Sequence, residues 1–438
     1  MNPLIPTVFS ADPSAHVWPG DDRLWIYASH DCPDTNTHDT MCSYHVFSSP
    51  DLVNWTDYGI ALHLEDVSWA SSHMWAIDCV LWKGLYYLVF CAIEKGTNKF
   101  RTGLATSKTP QGPFKDAGYI QGVEQGQDPA LFVDDDGSPF LFWGYGKKCF
   151  GARLADDLRS AIPGTEVELS EQLKWVYEGP WVHKYRGKYY LSYPGLFEGQ
   201  WPERMYYAIA DVPLGPYRYM GEYIPVFPGH SGTNHGSIAE YKNRWYAFHH
   251  SAWMSGLSCC RNLMCDYLEY NPDGTIRPIV PSKEGVVAGD AKHGPSRVTL
   301  LLGAEQGAGA CGRLVGTSVA TERAGYSGNG YVRGFDKPYY GVKVMVQQAV
   351  TARHRLKIRY VAPDGDQANK LIVNDIQIDD PGSPDPGRYD KAVRFPMASG
   401  WTELDAGIVT LNRGDNYLRL YAGTGGIEVD YFKLEPVC

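Results

Sequence analysis

Four carboxylates and one histidine, Asp12, Asp78, Asp128, Glu178 and His235, open a phrase that this chain repeats five times within its first 250 residues. Each is followed by a short apolar run, a turn and an aromatic-rich run, as in DPALFVDDDGSPFLFWG from Asp128 and EGPWVHKYRGKYYLSYP from Glu178. Carboxyl groups gathered at one point do general acid–base work. Hydrolysis of an acetal, for instance, needs one carboxylic acid to protonate the leaving oxygen and one carboxylate acting on the opposite face. A single Asp before Pro is most often a solvated turn residue, but recurrence at one place in successive repeats favours a shared, inward-facing site. The cluster Asp134, Asp135 and Asp136, just before a glycine, reads as the hairpin turn itself.

Hairpins must position these residues. Both runs of each copy are short, rich in Val, Leu, Phe, Tyr and Trp, and split by Gly, Asp or Asn, the pattern of two antiparallel strands. The copies start about 50 to 66 residues apart, leaving room for two more strands in each. A period of roughly 40–65 residues with about four strands per unit is that of a β-propeller blade. Five starts predict five blades, each with its first strand on the axis and its opening residue facing a central funnel. From about Ala304 to Val437 the text changes to short alternating runs (YVRGF, GVKVMVQ, HRLKIRYV, KLIVNDIQI, NYLRLYAG, IEVDYFKL) broken by Gly, Pro and Asp, which is a β-sandwich pattern. Segment 281–303 reads as a junction, and no helix of consequence is expected. The expected class is all-β: a five-bladed β-propeller over 1–290, then a jelly-roll-like β-sandwich over 291–438.

At 438 residues the chain exceeds a usual single domain, which agrees with two. Its net charge of −10 is spread out, with no basic run that would track a phosphate backbone, so nucleic acid is not an expected partner. No stretch approaches the roughly 18 apolar residues that cross a bilayer, so no membrane is expected either. The opening MNPLIPTVFSADPS has no charged n-region, apolar h-region or small-residue cleavage site. The expectation is a cytoplasmic protein, or a secreted one if a leader precedes this sequence. Among the ten cysteines, the spacings Cys32/Cys42 and Cys259-Cys260/Cys265 match no strong zinc pattern. Free, core-buried thiols are expected.

Residues 1–280 resemble glycoside hydrolase family 43, five-bladed propeller enzymes that remove arabinofuranosyl or xylosyl units from plant polysaccharides. The resemblance is carried by Ala11-Asp12-Pro13-Ser14, SSPDLVNW (Ser48 to Trp55), Trp75-Ala76-Ile77-Asp78, DPALFVDDDG (Asp128 to Gly137), Glu178-Gly179-Pro180, NHGSIAEY (Asn234 to Tyr241) and YNPDGTI (Tyr270 to Ile276), in that order. The phrases TPQGPFKD and VPLGPYRY match as well. The resemblance implies that Asp12 is a general base activating water, that Glu178 is the general acid, and that Asp128 orients the acid and raises its pKa by like-charge repulsion. It implies inversion, with about 6.5–9.5 Å between acid and base carboxyls. Asp78 matches no catalytic position and would hydrogen-bond in the funnel wall or with substrate. His235 matches a histidine beside a hydrated metal, commonly calcium, whose preference for six to eight oxygens calls for several waters; the alternative is a structural histidine. Arg261, in CCRNLMCDYLEY, matches an arginine that reaches substrate, or else forms a structural ion pair. Trp75 lies in WAID where the family has WAPD, and would stack under a sugar or pack between blades.

The C-terminal region resembles a carbohydrate-binding module of family 6, through Ala304-Glu305, NGYVRGF, RLKIRY and Val429-Asp430-Tyr431. That resemblance implies a structural calcium at Glu305 and Asp430. Leu404 stands where the ligand-sandwiching tryptophan is usual, three residues after Trp401, and Glu428 where an asparagine is usual, so a structural or substrate-orienting role is expected. The expected activity is that of an inverting exo-glycosidase releasing terminal α-L-arabinofuranosyl or β-D-xylosyl units from arabinoxylan or xylo-oligosaccharides. Its expected partner is a pentose-containing oligosaccharide or polysaccharide. The alternatives are an exo-galactanase or arabinanase on the same fold, and a non-catalytic glycan-binding propeller.

Overall fold

The structure, a computed structural model, describes residues 1–33, 35–374 and 389–437. Each repeated phrase forms the first hairpin of a blade. In three blades the two inner strands are joined by a two-residue turn with both residues at positive φ: Lys83-Gly84, Arg186-Gly187 and Lys242-Asn243. That geometry matches the right-handed twist of the flanking strands, which is why a basic residue followed by Gly or Asn recurs there.

Blade one comprises Ser10–Val17, Leu24–His30, Ser43–Ser49 and Asn54–His63. Blade two is built on Ile77–Trp82, Leu85–Glu94, Phe100–Ser107 and Lys115–Tyr119, blade three on Ala130–Val133, Pro139–Tyr145, Lys148–Arg153 and Val167–Glu168, and blade four on Trp181–Tyr185, Lys188–Gly195, Arg204–Ala210 and Arg218–Ile224. Blade five has three strands, Ser237–Tyr241, Arg244–Ser251 and Asn262–Leu268. The N-terminal segment closes the ring on its outer strand: Leu4 N–H donates to Leu263 O (2.8 Å) and Ser10 N–H to Arg261 O (2.9 Å). The Asn2 side chain meanwhile bonds both Cys265 N (2.9 Å) and Cys265 O (3.0 Å). Side chains such as Tyr193, Tyr206, Leu191 and Phe142 fill the space between neighbouring blades. Each fully buried side chain of this size stabilises the ring by roughly 1.5–3 kcal/mol.

The sandwich packs Gly341–Gln348, Gly414–Tyr421, Gln367–Val373 and Tyr389–Phe395 over a sheet containing Ala352–Ala362, Ala398–Leu411 and Glu428–Pro436, around one core. The segment read as a junction ends in a strand, Arg297–Gly303, shared by both regions. It runs parallel to Asn54–His63 of blade one and antiparallel to Glu428–Pro436. Gly59 is required at this seam, since its φ is 72° and a Cβ would lie 2.7 Å from Leu302. Of the run KLIVNDIQI, residues 370–373 are strand, while 375–378 lie outside the described residues. Ala398–Leu411 escapes the sequence pattern because its first half is exposed or half-exposed on both faces and does not alternate. Helical structure among the described residues is limited to five 3-10 turns, and no helix is long and apolar enough to cross a membrane.

Candidate active site

The first strands converge on a cavity of about 560 Å³ whose lining includes Asp12, Trp75, Asp128, Glu178, His235 and Arg261. Local backbone geometry explains why the acids face it. Asp12 has φ 53° inside a bulge of Ser10–Val17, where the pairing register skips between Ala11 and Ser14. Asp128 has φ 48°, and Gly179, next to Glu178, has φ 55°. Asp is among the few residues that tolerate this left-handed region, and its recurrence at the cavity turns each acid out of its strand. At Gly179 even a methyl group would fail, since a Cβ would lie 2.4 Å from the His235 ring.

Asp12 and Glu178 are pushed in opposite directions by their surroundings. Ser29 donates to Asp12 Oδ2 (2.6 Å) and Arg261 Nη1 lies 3.2 Å from Oδ1. Burial, the largest single influence, would push this carboxyl up; the Arg261 guanidinium, helped by His250, His235 and the Ser29 hydroxyl, outweighs it and keeps Asp12 well below the usual carboxylate range. The backbone N–H of Asp12 donates to His250 Nδ1 (3.2 Å), and His250 Nε2 donates to Thr233 O (3.0 Å). Burial holds that imidazole neutral. Glu178 is pushed well up, first by burial and then by the charges of Glu203 and Asp12. Asp128 is also pushed well up, by burial and then by Glu178 and Asp12. The Gln127 amide spans this pair, donating to Glu178 Oε2 (3.1 Å) and Asp128 Oδ2 (3.3 Å). An ionised and a protonated carboxyl in one cavity are the two halves of a general acid–base apparatus.

Two expectations change. Asp78 does not line the cavity. Its Oδ1 accepts from Ser14 (2.7 Å), His16 (2.8 Å) and Cys79 N–H (2.6 Å), and its Oδ2 from Leu131 N–H (2.7 Å). It therefore ties blades one, two and three together in the funnel wall and is not placed to hold substrate. Arg261 lines the cavity but has its donors engaged elsewhere: Nε and Nη2 on Asp31 (2.9 and 2.8 Å), Nη1 on Asp12 and Thr233 Oγ1 (3.2 Å each), and Nη2 also on Met41 Sδ (3.4 Å). The ion-pair alternative describes it, with Asp12 as one partner.

Sequence reasoning missed Gln127, Asp31 and Glu203. Gln127 directly precedes Asp128 and was legible as its neighbour; Asp31 and Glu203 lie outside the repeated position. Glu203 is fully buried. Its Oε2 accepts the Asn234 N–H (2.7 Å), whereas Oε1 has no partner. Burial, offset in part by that N–H and reinforced by Asp128 and Asp12, pushes it up to about 8.

Trp75 forms part of the cavity wall. Its Nε1 donates to His38 O (3.0 Å) and its ring packs on Phe100 and His73, each 4.9 Å between centroids. His235 is kept neutral by burial, and neither ring nitrogen has a hydrogen-bond partner. An unprotonated imidazole with a free nitrogen fits a single protein ligand to a largely hydrated cation. Among the described residues no group of three or more His, Cys, Asp or Glu could hold a metal alone. In the sandwich, Glu305 Oε1 accepts Asn329 N–H (3.0 Å) while Oε2 is buried without a partner. Burial and the nearby Asp430 push Glu305 up to about 8. Asp430 accepts Ser327 N–H (2.8 Å) and hydroxyl (2.9 Å) on Oδ1 and pairs with Arg359 through Oδ2. Glu305 thus fits a cation, and Asp430 already has one beside it. All nine cysteines among the described residues are free thiols.

Comparison with known proteins bears on both regions. The C-terminal region matches the family model for carbohydrate binding module family 35 over residues 308–437. This corrects the family 6 resemblance, from which Leu404 and Glu428 already departed. "Xylosidase/arabinosidase 43A" of Humicola insolens is 34% identical over 334 residues, covering 63% of this chain and 98% of that protein. A "Xylosidase/arabinosidase" of Bacteroides ovatus is 32% identical over 320 residues, covering 62% and 95%. Among solved structures, a β-xylosidase/α-arabinofuranosidase from a compost metagenome, in complex with xylotriose and in a calcium-free form, superposes with a TM-score of 0.58 at 32% identity, covering 65% of this chain and 98% of that one. An arabinoxylan arabinofuranohydrolase of Bacillus subtilis shares the fold over 100% of this chain and 97% of its own, with a TM-score of 0.59 at 22% identity. The family model for glycosyl hydrolases family 43 matches residues 1–276, the whole stretch that supplies Asp12, Asp128 and Glu178. The chain belongs to glycoside hydrolase family 43.

Proposed function

We propose that this protein is an exo-acting glycosidase that releases terminal β-D-xylosyl and α-L-arabinofuranosyl units from xylo-oligosaccharides or arabinoxylan, with inversion at the anomeric carbon. The observation that carries the reading is that one cavity holds Asp12, bonded to Arg261 and Ser29, and Glu178, bonded only to the Gln127 amide, so that the first carboxyl is pushed down and the second up. Asp12 removes a proton from a water as that water's oxygen bonds the anomeric carbon. Glu178 gives its proton to the departing glycosidic oxygen, and Gln127 and Asp128 orient the acid. The names of the relatives, xylosidases and arabinosidases, support the choice of pentosides. A cavity of about 560 Å³ suits one or two sugar rings.

Calcium would be held in the propeller by His235 with waters and in the sandwich by Glu305. In the propeller it would supply a fixed positive charge near the axis, and every proton transfer runs through the carboxyls. The sandwich serves to orient or stabilise: Trp401 donates from Nε1 to Ala324 O (3.0 Å) and is covered by the Arg359 guanidinium 5.4 Å from its ring.

The test is product stereochemistry. Proton NMR of hydrolysis should show the inverted anomer first, before mutarotation. Asp12→Ala should lose roughly 10²–10⁴-fold in rate, and azide should partly restore it by forming the inverted glycosyl azide. A first product of retained configuration would make one of the carboxylates a covalent nucleophile and overturn the mechanism.

A further inference from the structure

Trp201 takes no part in the acid–base apparatus. It is 54% exposed, and no other tryptophan among the described residues is among the exposed large apolar side chains. An indole left in water at the rim of a cavity is unexplained by folding. It lines the same cavity as the acids and stands edge-on to Tyr177, with centroids 5.3 Å apart and an interplanar angle of 74°.

The loop that presents it is anchored on both sides. Before it, Phe197 packs on Trp175 (4.6 Å), and the Arg204 guanidinium covers Phe197 (4.9 Å) while pairing with Glu222 (3.0 Å). After it, Glu203 N–H donates to Gly232 O (3.1 Å) and the Glu203 carboxylate accepts Asn234 N–H (2.7 Å). The indole is thus held in place with its face uncovered.

Its position says what the face is for. Tyr177 directly precedes Glu178, whose proton goes to the leaving oxygen, so whatever is attached to that oxygen must leave past Tyr177 and Trp201. The Trp75–Phe100 wall belongs to blade two, across the funnel from blade four. We propose that Trp201, with Tyr177, forms the platform on which the sugar beyond the scissile bond stacks, so that this pair selects a pyranose leaving group. The proposal rests on the glycosidase reading above, and it adds the half of the site that the catalytic acids do not touch. The flat C–H face of a pyranose matches an exposed indole, whereas a small alkyl leaving group cannot cover it.

The experiment compares xylobiose with methyl β-D-xyloside for wild type, Trp201→Ala and Trp201→Phe. Trp201→Ala should lower the ratio of kcat/KM for xylobiose to that for the methyl glycoside by about tenfold, mainly through KM, and Trp201→Phe should recover most of it. An unchanged ratio, whether both substrates suffer equally or neither suffers, overturns the proposal. A second measurement separates this from the choice of substrate. Titration of xylotriose into Glu178→Gln and into Glu178→Gln/Trp201→Ala should show about tenfold weaker binding in the latter. Wild type that hydrolyses no pentoside would refute the pentosidase reading alone. Equal binding by the two titrated proteins would refute the platform alone.

Discussion

Arg261→Gln should bring into view an acid limb that the wild-type enzyme does not show. The guanidinium nitrogen lies 3.2 Å from Asp12, and both side chains are buried. At an effective dielectric of about 20 this distance gives about 5 kcal/mol of attraction. Arg261 also faces Asp31 at 2.8 Å, whose negative charge stays behind in the variant and further opposes ionisation of Asp12. The sign follows from what remains. Without the cation, burial is unopposed and the Asp12 pKa rises, so the base becomes protonated as pH falls through the weakly acidic range. The profile of kcat/KM against pH should therefore gain an acid limb displaced to higher pH than in the wild type. Leaving Asp31 buried without its partner costs about 3–5 kcal/mol, so circular dichroism must establish that the variant is folded. Arg261→Lys, which keeps the charge but not the fork, should show a smaller displacement. A folded Arg261→Gln enzyme with the wild-type acid limb would mean that this guanidinium does not keep Asp12 ionised.

Asp78→Ala should lower stability by about 2–4 kcal/mol, read as a fall in the urea midpoint, because four donors lose their acceptor. Turnover per folded molecule should fall less than tenfold; a collapse in kcat at unchanged stability would return Asp78 to the substrate. For Glu305, the folded pKa of about 8 lies above the ordinary 4.5, so its contribution is complete below about pH 4.5 and is lost as pH rises through 8. Calcium-free protein should lose about 5 kcal/mol across that window, and Glu305→Gln should flatten the slope in urea unfolding. A slope identical in both proteins would show that Glu305 does not remain a buried acid.

The ring was legible because one phrase recurs with the period of a blade, and because paired aromatic-rich runs split by Gly, Asp or Asn agree with it at each repeat. The same recurrence located Asp12, Asp128 and Glu178 at the cavity, but it could not sort them from Asp78, which occupies an equivalent start and is consumed by four hydrogen bonds. What distinguishes the two fates is the company each residue keeps across blades, and that depends on pairs such as Asp12 with Arg261, 249 positions apart. Asp31 and Glu203 were hidden for the same reason: a polar residue in a loop looks solvated until packing buries it. The seam strand Arg297–Gly303 was read as a junction because one strand alone does not reveal that it pairs with two different regions.

The charge count in the funnel explains why the acid holds its proton. Asp12, Asp31, Asp128, Glu178 and Glu203 are close enough to influence one another or share Arg261, and Arg261 is the sole Lys or Arg among the described residues that line the cavity. His38, His235 and His250 add no positive charge, since burial holds all three below their ordinary values. One guanidinium bonded to Asp12 can keep that carboxyl ionised, and every further negative charge in so dry a site is opposed both by desolvation and by the charges already there. The remaining carboxyls are consequently pushed towards the protonated state as a group, and Glu178 is the one among them that reaches the cavity beside the leaving-group wall. Its competence as an acid therefore comes from the whole set: placing a second cation beside Glu203, or deleting Asp12, would weaken the general acid without touching Glu178 itself.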